Sequence, residues 1–213
     1  MPFEKNITVK LSDNAHCRID ETPDDKFYKI PRFVTHIDAG AIAAVKALYR
    51  QQLPVKTSIL DLMSSWTSHY PEDVSYQRVV GLGMNARELA RNKQLDEWLV
   101  HDLNIYPELP FKANEFDVCT ICVSFDYLIH PVNVLKEIAR VLKKDGSLII
   151  TYSNRVFDTK ATAAWLSLSE HDRKYLLRTY LLESGGFDNI EFMDCSPVTG
   201  DPLYVVMASV AKD

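Results

Sequence analysis

The 213-residue sequence predicts an α/β protein with a doubly wound, mostly parallel seven-stranded sheet and an antiparallel last strand. From residue 56 onward, apolar strand-like runs alternate with helical stretches, a pattern that favours a parallel sheet with helices on both faces. The last two strands are joined by the turn-rich segment 197–202 (PVTGDP), which implies an antiparallel hairpin. Ligands of such folds bind beyond the carboxyl ends of the strands, so the loop after the first strand is the expected binding site.

The first 55 residues are expected to form an arm and a helix that packs on the α/β domain of residues 56–213. Residues 1–34 show little periodicity and contain turn-forming prolines, which favours an arm or part of a lid. From Asp38, a candidate N-cap, the pattern becomes helical, and Pro54 follows the end of the helix. The apolar stripe of this helix consists of Ile42, Val45, Leu48 and Tyr49.

The stretch Thr57 to Ser68 (TSILDLMSSWTS) contains the first strand and the loop after it. Ile59, Leu60 and Leu62 form a short apolar run suited to a strand covered on both faces, and Asp61 lies near its end. The loop that follows contains no glycine. The next predicted elements are a short helix starting at Pro71, a second strand at Arg78 to Leu82, a helix capped by Asn85, and a third strand at Trp98 to Val100.

The second half of the chain continues the alternation of strands and helices. The predicted elements are a fourth strand at Phe116 to Val123, a helix from Pro131 closed by Asp145 and Gly146, a fifth strand at Ser147 to Tyr152, helices at 160–168 and 170–183, and strands at 190–194 and 203–209.

The charge, apolar runs and cysteines of the sequence exclude several classes of binding partner. The sequence has 24 Lys and Arg against 29 Asp and Glu, and the basic residues are scattered, which argues against a nucleic-acid interface. No apolar run approaches a membrane span and the N-terminus lacks a signal-peptide core, so we expect a cytoplasmic protein. Cys119 and Cys122 have ligand-like spacing but lack a second pair, so no metal site is expected. Oligomeric state is not predictable from the sequence.

Three strings in the second half carry a family resemblance. They are LPFKANEFDV (109–118), LKEIARVLKKDGSLII (135–150) and SGGF (184–187). With the order of elements, they make residues 56–210 resemble the class I S-adenosylmethionine-dependent methyltransferases, in the type 11-like branch that acts on small molecules. The resemblance implies a Rossmann-like methyltransferase fold with S-adenosylmethionine as cofactor.

The resemblance also implies cofactor-binding residues where this chain matches the family. Asp61 matches the acidic residue at the end of the first strand, near the cofactor amino group and ribose. Asp102, with Leu103 beside it, matches the aspartate that accepts from the adenine amine. Val123 and Ser124 follow the fourth strand, where the family lines the methionine moiety.

Two departures from the family pattern concern the cofactor site. The family's glycines would fall near residues 63, 65 and 67, so Ser64, Ser65 and Trp66 replace the glycine turn here and the loop is expected to follow a different path. The acid that normally binds the ribose would fall at Gly83. Asn85 is able to reach the ribose instead, although helix capping is its simpler role.

The loops at the ligand side also supply candidate substrate residues. Tyr127, His130 and His69 are candidate bases for an oxygen or nitrogen acceptor, although each is also an ordinary loop residue. Asn154 and Arg155 follow the fifth strand, where the arginine would bind an acidic group of the substrate or pair with a neighbouring acid. The catalytic residues are not predicted.

The favoured function is S-adenosylmethionine-dependent methyl transfer to an unidentified small molecule. The missing glycines and the missing ribose acid leave an alternative, a methyltransferase-like fold without catalysis that serves as a binding or interaction module. A nicotinamide-dependent oxidoreductase is disfavoured because the chain has no G-x-G-x-x-G motif.

Overall fold

The computed structural model describes residues 7–211. Seven strands form one sheet in the order β3-β2-β1-β4-β5-β7-β6. The strands are β1 (Ser58–Leu62), β2 (Arg78–Gly83), β3 (Glu97–Val100), β4 (Phe116–Cys122), β5 (Leu142–Tyr152), β6 (Phe187–Asp194) and β7 (Tyr204–Val210). The helices are α1 (Asp24–Phe27), α2 (Ala39–Gln52), α3 (Ala86–Leu89), α4 (Pro131–Val141), α5 (Ala163–Leu166) and α6 (Arg173–Ser184), with a 3₁₀ turn at Phe125–Tyr127.

The predicted fold class is confirmed. Strands β1 to β5 are parallel to one another, and β7 lies antiparallel to both β5 and β6. The strand order reverses between β1 and β4, so a crevice opens at the carboxyl ends of these two strands. The functional site should therefore lie at this edge of the sheet.

Alternate residues of the strands feed two separate cores, one on each face of the sheet. Ile59 of β1 packs with Val45 and Tyr49 of α2 on one face. Leu60, its neighbour in the strand, packs on the opposite face with residues of α4 and α6. Both faces are therefore covered, as the near-continuous apolar strands predict.

The start of α2 matches its prediction, because the Asp38 carboxylate accepts a hydrogen bond of 2.9 Å from the Ala41 N–H. The helix predicted at Pro71 is wrong. This proline begins only a turn, and the two acids after it form ion pairs with α2 instead, Glu72 with Lys46 and Asp73 with Arg50.

The boundary between α4 and β5 also differs from the prediction. The helix ends at Val141 and β5 begins at once, because Leu142 pairs with Phe116 before the register shifts. Asp145 takes a left-handed backbone conformation within this strand, with φ of 61°, so it forms part of an irregularity in the strand and does not end the helix. The helices expected at 160–168 and 170–183 are found at Ala163–Leu166 and Arg173–Ser184.

Candidate functional site

A cavity of about 280 Å³ lies at the carboxyl ends of β1, β2 and β4. It is closed on one side by the strand-following loops and on the other by residues of the segment 24–37. The cavity is lined by every residue predicted to bind the cofactor: Asp61, Ser64, Ser65, Trp66, Gly83, Asn85, Asp102, Leu103, Val123 and Ser124.

The loop after β1 replaces the glycine turn with one left-handed residue and a close backbone contact. Met63 has φ of 58°, a conformation that costs an L-residue about 1–2 kcal/mol. The Ser64 N–H then donates to the Leu82 carbonyl over 2.8 Å, which holds the loop against the end of β2. A Cβ atom on Gly83 would lie 2.1 Å from the Ser64 carbonyl oxygen. The backbone of this loop therefore fills the space that a side chain at position 83 would need.

Asp61 at the end of β1 binds two serines of the same loop. Its buried carboxylate accepts from the Ser64 hydroxyl over 2.5 Å and from the Ser68 hydroxyl over 2.6 Å. Burial raises the pKa of Asp61 to about 6, although these hydroxyls favour the ionised form. Asp61 lines the cavity, but its oxygens already bind the loop, so its carboxylate positions Ser64 and Ser68.

Helix α3 brings a carboxylate to the cavity that the sequence did not single out. Asn85 caps α3 by accepting from the Arg87 and Glu88 N–H groups, and its amide donates to the Tyr28 carbonyl over 2.7 Å. Glu88, buried at the cavity wall, accepts from the Ser65 hydroxyl over 2.6 Å and from the Arg32 N–H over 2.6 Å. Glu88 therefore links the loop after β1 to the N-terminal segment.

Asp102 follows the edge strand β3 and is half-buried at the cavity. One of its oxygens accepts from the Asn104 N–H over 2.9 Å. Burial raises the pKa of the Asp102 carboxyl above its usual value. Leu103 is buried next to it, so an apolar surface and a hydrogen-bond acceptor lie side by side in the cavity wall.

The N-terminal segment is held over the cavity by a buried ion network. Asp24 accepts from Arg18 over 2.9 Å and from the Asn104 amide over 2.8 Å. The fully buried Lys160 lies 3.2 Å from the same carboxylate and donates to the carbonyls of Asp20 and Thr22. Sequence reasoning missed this network because its members lie far apart in the chain and follow no local pattern.

The indole of Trp66 also ties the loop after β1 to this segment. Its Nε1–H donates to the Val34 carbonyl over 2.9 Å, and its ring meets Phe33 edge to face. Trp66 therefore belongs to the cavity wall.

The end of β4 carries a second strained position. Val123 has φ of 46°, an unusual value for a β-branched residue, and the next residue, Ser124, has a buried hydroxyl without a hydrogen-bond partner among residues 7–211. Both residues line the cavity. Backbone strain and an unsatisfied polar atom at one position are typical of a ligand-binding edge.

Four of the five candidate substrate residues fall into two groups, inside and outside the cavity lining. Tyr127 and Arg155 line the cavity, whereas His130 and Asn154 are exposed and do not. His130 instead forms the N-cap position of α4. Arg155 pairs with Asp201 over 2.9 Å, which is the neighbouring-acid role considered for it.

Two histidines lie on the same side of the cavity. His69 lines the cavity in a left-handed conformation with φ of 60°, and burial, followed by the charges of Lys46 and His36, lowers its pKa to about 4. His36 lines the cavity as well and meets the Phe157 ring edge to face at 5.2 Å. The imidazole of His69 is therefore neutral at pH 7 and is able to accept a proton. The Tyr127 hydroxyl, whose pKa is raised by burial, stays protonated.

No metal or membrane feature accompanies this site. Within residues 7–211, no group of three or more His, Cys, Asp and Glu side chains is placed to hold a metal ion. Over the same part of the chain, no helix is both long and apolar enough to cross a bilayer.

Comparison with known proteins shows a similarity over the middle of the chain. Residues 62–150 match the family model described as a methyltransferase domain. The resemblance to the class I methyltransferases is confirmed. The matched segment runs from the end of β1 into β5 and so includes all the predicted cofactor residues except Asp61. None of the curated proteins matches the sequence significantly.

Solved structures share the fold at low sequence identity. A putative methyltransferase from Haloferax volcanii, in complex with the Trm112 methyltransferase activator, is 16% identical with a TM-score of 0.62, over 89% of this chain and 94% of that one. A possible histamine N-methyltransferase from Thermotoga maritima is 18% identical with a TM-score of 0.58, over 81% and 90%. Phosphoethanolamine N-methyltransferase 2 from Haemonchus contortus, in complex with S-adenosyl-L-methionine, is 16% identical with a TM-score of 0.55, over 80% and 52%.

Proposed function

We propose that this protein binds S-adenosylmethionine in the cavity and transfers its methyl group to a small molecule. The observation that carries the proposal is the convergence of all ten predicted cofactor residues on one cavity at the carboxyl edge of the sheet. The methyltransferase domain match over residues 62–150 supports the same activity.

The residues present fit this cofactor. The Asp102 carboxylate accepts a hydrogen bond from the Asn104 N–H and is able to accept another from the adenine amine. Leu103 would then pack against the adenine ring. Ser124 offers a buried hydroxyl without a partner in the described chain, beside the place expected for the methionine moiety. Since the Ser64 carbonyl excludes an acid at position 83, the ribose contact would pass to the serine hydroxyls of the loop and to Glu88.

S-adenosylmethionine supplies a methyl group activated by the sulfonium. Methyl transfer is a direct displacement, so the main task of the protein is to align the acceptor and to exclude water. The segment 24–37 covers the cavity and serves that purpose. For an O–H or N–H acceptor, the His69 imidazole would take the proton, because it lines the cavity and is unprotonated at pH 7.

Calorimetric and thermal-shift titrations with S-adenosylmethionine and S-adenosylhomocysteine test the proposal. We expect binding to the wild type, with a stabilisation of about 2.7 kcal/mol at 100 times the dissociation constant. Asp102→Ala should weaken both ligands, whereas Asp158→Ala should not, because Asp158 is exposed and outside the cavity lining.

The close packing of the loop on Gly83 also favours a second function, that of a binding module without catalysis. The backbone of the glycine-free loop occupies the place of the ribose acid, which is the change expected in a methyltransferase-like binding module that has lost its cofactor. The same titration decides between the two functions. No heat and no thermal shift with either ligand at millimolar concentration would favour the binding module.

A further inference from the structure

Within residues 7–211, one arginine of the cavity has no carboxylate partner for its charge. Arg32 and Arg155 both line the cavity, and Arg155 is paired with Asp201. Among residues 7–211, Arg32 has no ion pair, and its buried NH1 group has no hydrogen-bond partner. Its NH2 group donates to the Phe27 carbonyl over 3.1 Å. A buried guanidinium nitrogen that lacks an acceptor is costly unless a ligand supplies one.

Four acids line the cavity, and within residues 7–211 none of them binds the Arg32 side chain. Asp102 lies in the wall after β3, where it accepts from the Asn104 N–H. Asp24 is bound by Arg18 and Lys160, and Asp61 by two serine hydroxyls. Glu88 accepts from Ser65 and from the Arg32 backbone N–H. An acceptor brought into the cavity would therefore satisfy the buried NH1 group of Arg32, which the described residues leave without a partner.

Aromatic rings fix the Arg32 guanidinium in place. Its central carbon lies 4.4 Å from the centroid of the Phe27 ring and 5.3 Å from that of Phe157. Stacking holds a planar guanidinium in one orientation, so less entropy is lost when a ligand binds. Phe157 also contacts the rings of His36 and Tyr127, which gives this end of the cavity an aromatic wall.

The position of Arg32 points to the acceptor more than to the cofactor. The guanidinium stacks on Phe157, which follows β5, whereas the predicted cofactor residues follow β1 to β4. His36, beside the same ring, is close enough to His69 to lower its pKa. The acceptor side of the cavity thus combines a free cation, aromatic surface and the candidate base.

We propose that the methyl acceptor is a small carboxylic acid whose carboxylate binds Arg32 and whose body packs on Phe157 and Tyr127. One unopposed cation matches a monoanion, whereas a phosphate dianion would require additional donors. This inference rests on the proposed methyl transfer.

Matched pairs of acids and amides test it on protein saturated with S-adenosylhomocysteine. The probes are 4-hydroxybenzoate, 4-hydroxycinnamate and 3-hydroxybutyrate, each compared with its primary amide by calorimetry. We expect at least one acid to bind about tenfold or more tightly than its amide, because a hydrogen bond to a charged group is worth about that much. Arg32→Gln should abolish the preference.

Two further variants make the test specific. Arg91→Gln is the matched control, because the Arg91 guanidinium stacks on Phe33 at 4.6 Å but does not line the cavity, and the preference should persist. Arg32→Lys keeps the positive charge but loses the planar guanidinium, so this variant should retain part of the preference for the acid over its amide. It also tests the inference if Arg32→Gln fails to fold.

Three results would overturn the inference. They are an acid preference that survives in Arg32→Gln, equal binding of acid and amide in every pair, and a tenfold loss of S-adenosylhomocysteine affinity in Arg32→Gln. The last result would assign the guanidinium to the cofactor carboxylate. Failure of the wild type to bind S-adenosylhomocysteine is a different outcome and would overturn the proposed function itself.

Discussion

Replacement of Gly83 by alanine tests the path of the glycine-free loop. The new Cβ atom would lie 2.1 Å from the Ser64 carbonyl oxygen and 3.1 Å from its carbonyl carbon. Both are backbone atoms, so no side-chain rotation relieves the clash. The loop would have to move by about 1 Å to restore a normal carbon–oxygen contact.

The free-energy cost of this movement depends on the packing and the hydrogen bonds of the loop. Overpacking of this kind costs about 1–3 kcal/mol. The shift also strains two hydrogen bonds of Ser64, from its N–H to Leu82 and from its hydroxyl to Asp61, each worth about 1 kcal/mol. We therefore expect Gly83→Ala to lower the free energy of unfolding by about 3 kcal/mol, or the melting temperature by about 6–12 °C.

Gly81→Ala is the matched control because it lies in the same strand. Its Cβ would meet only the end of the Leu95 side chain, at 2.4 Å, which is able to rotate away. We expect a loss of about 1 kcal/mol or less. Differential scanning calorimetry of the two variants, with and without S-adenosylhomocysteine, measures the effect. Equal melting temperatures for Gly83→Ala and the wild type would refute the loop geometry.

Two more substitutions probe the buried charges. Lys160→Ala removes one of the two buried cations that face Asp24, together with the donor to the carbonyls of Asp20 and Thr22. The substitution should cost about 3–5 kcal/mol and expose residues 7–34 to limited proteolysis. The exposed pair of Lys143 with Asp117 should tolerate Lys143→Ala within about 1 kcal/mol, and equal losses for the two variants in urea denaturation would contradict this. Burial raises the pKa of Asp126 to about 7, above its unfolded value of 3.8, so the folded state holds the extra proton and wild-type stability should fall as pH rises from about 4 to 7. Asp126→Asn removes this titration, so the free energy of unfolding of the variant should rise relative to wild type by up to a few kcal/mol between about pH 4 and pH 7. If the free energies of unfolding of the two proteins depend on pH in the same way, the titration of Asp126 is not the cause.

The sheet was predictable because its strands carry a local signal. Short apolar runs such as 59–62 and 148–150 are buried on both faces, and the turn-rich segment 197–202 fixes the reversed last strand. Since the topology brings the carboxyl ends of β1, β2 and β4 together, the residues that follow them were also predictable as neighbours.

The path of the loop after β1 was only partly predictable. A different loop path was expected where the glycines are missing, but neither the left-handed conformation of Met63 nor the packing of the Ser64 carbonyl on Gly83 was predicted. The packing depends on contact between two segments that lie apart in the chain. Gly83 was interpreted as the loss of a ribose acid, whereas the structure gives it a steric reason.

The cover of the cavity was beyond sequence reasoning. Residues 7–34 have no periodic pattern, and their contacts join residues far apart in the chain, such as Arg32 with Glu88 and Asp24 with Asn104. Hydrogen bonds of this kind depend on the finished fold, so Arg32 and Glu88 were not among the predicted site residues.

A crystal structure of the protein with S-adenosylhomocysteine tests the central claim most directly. We expect the ligand in the 280 Å³ cavity, with its adenine beside Asp102 and Leu103 and its amino-acid end near Ser124. The Arg32 side chain should remain free to bind an acceptor. Ligand bound outside this cavity, or crystals soaked at millimolar concentration without ligand in it, would contradict the account.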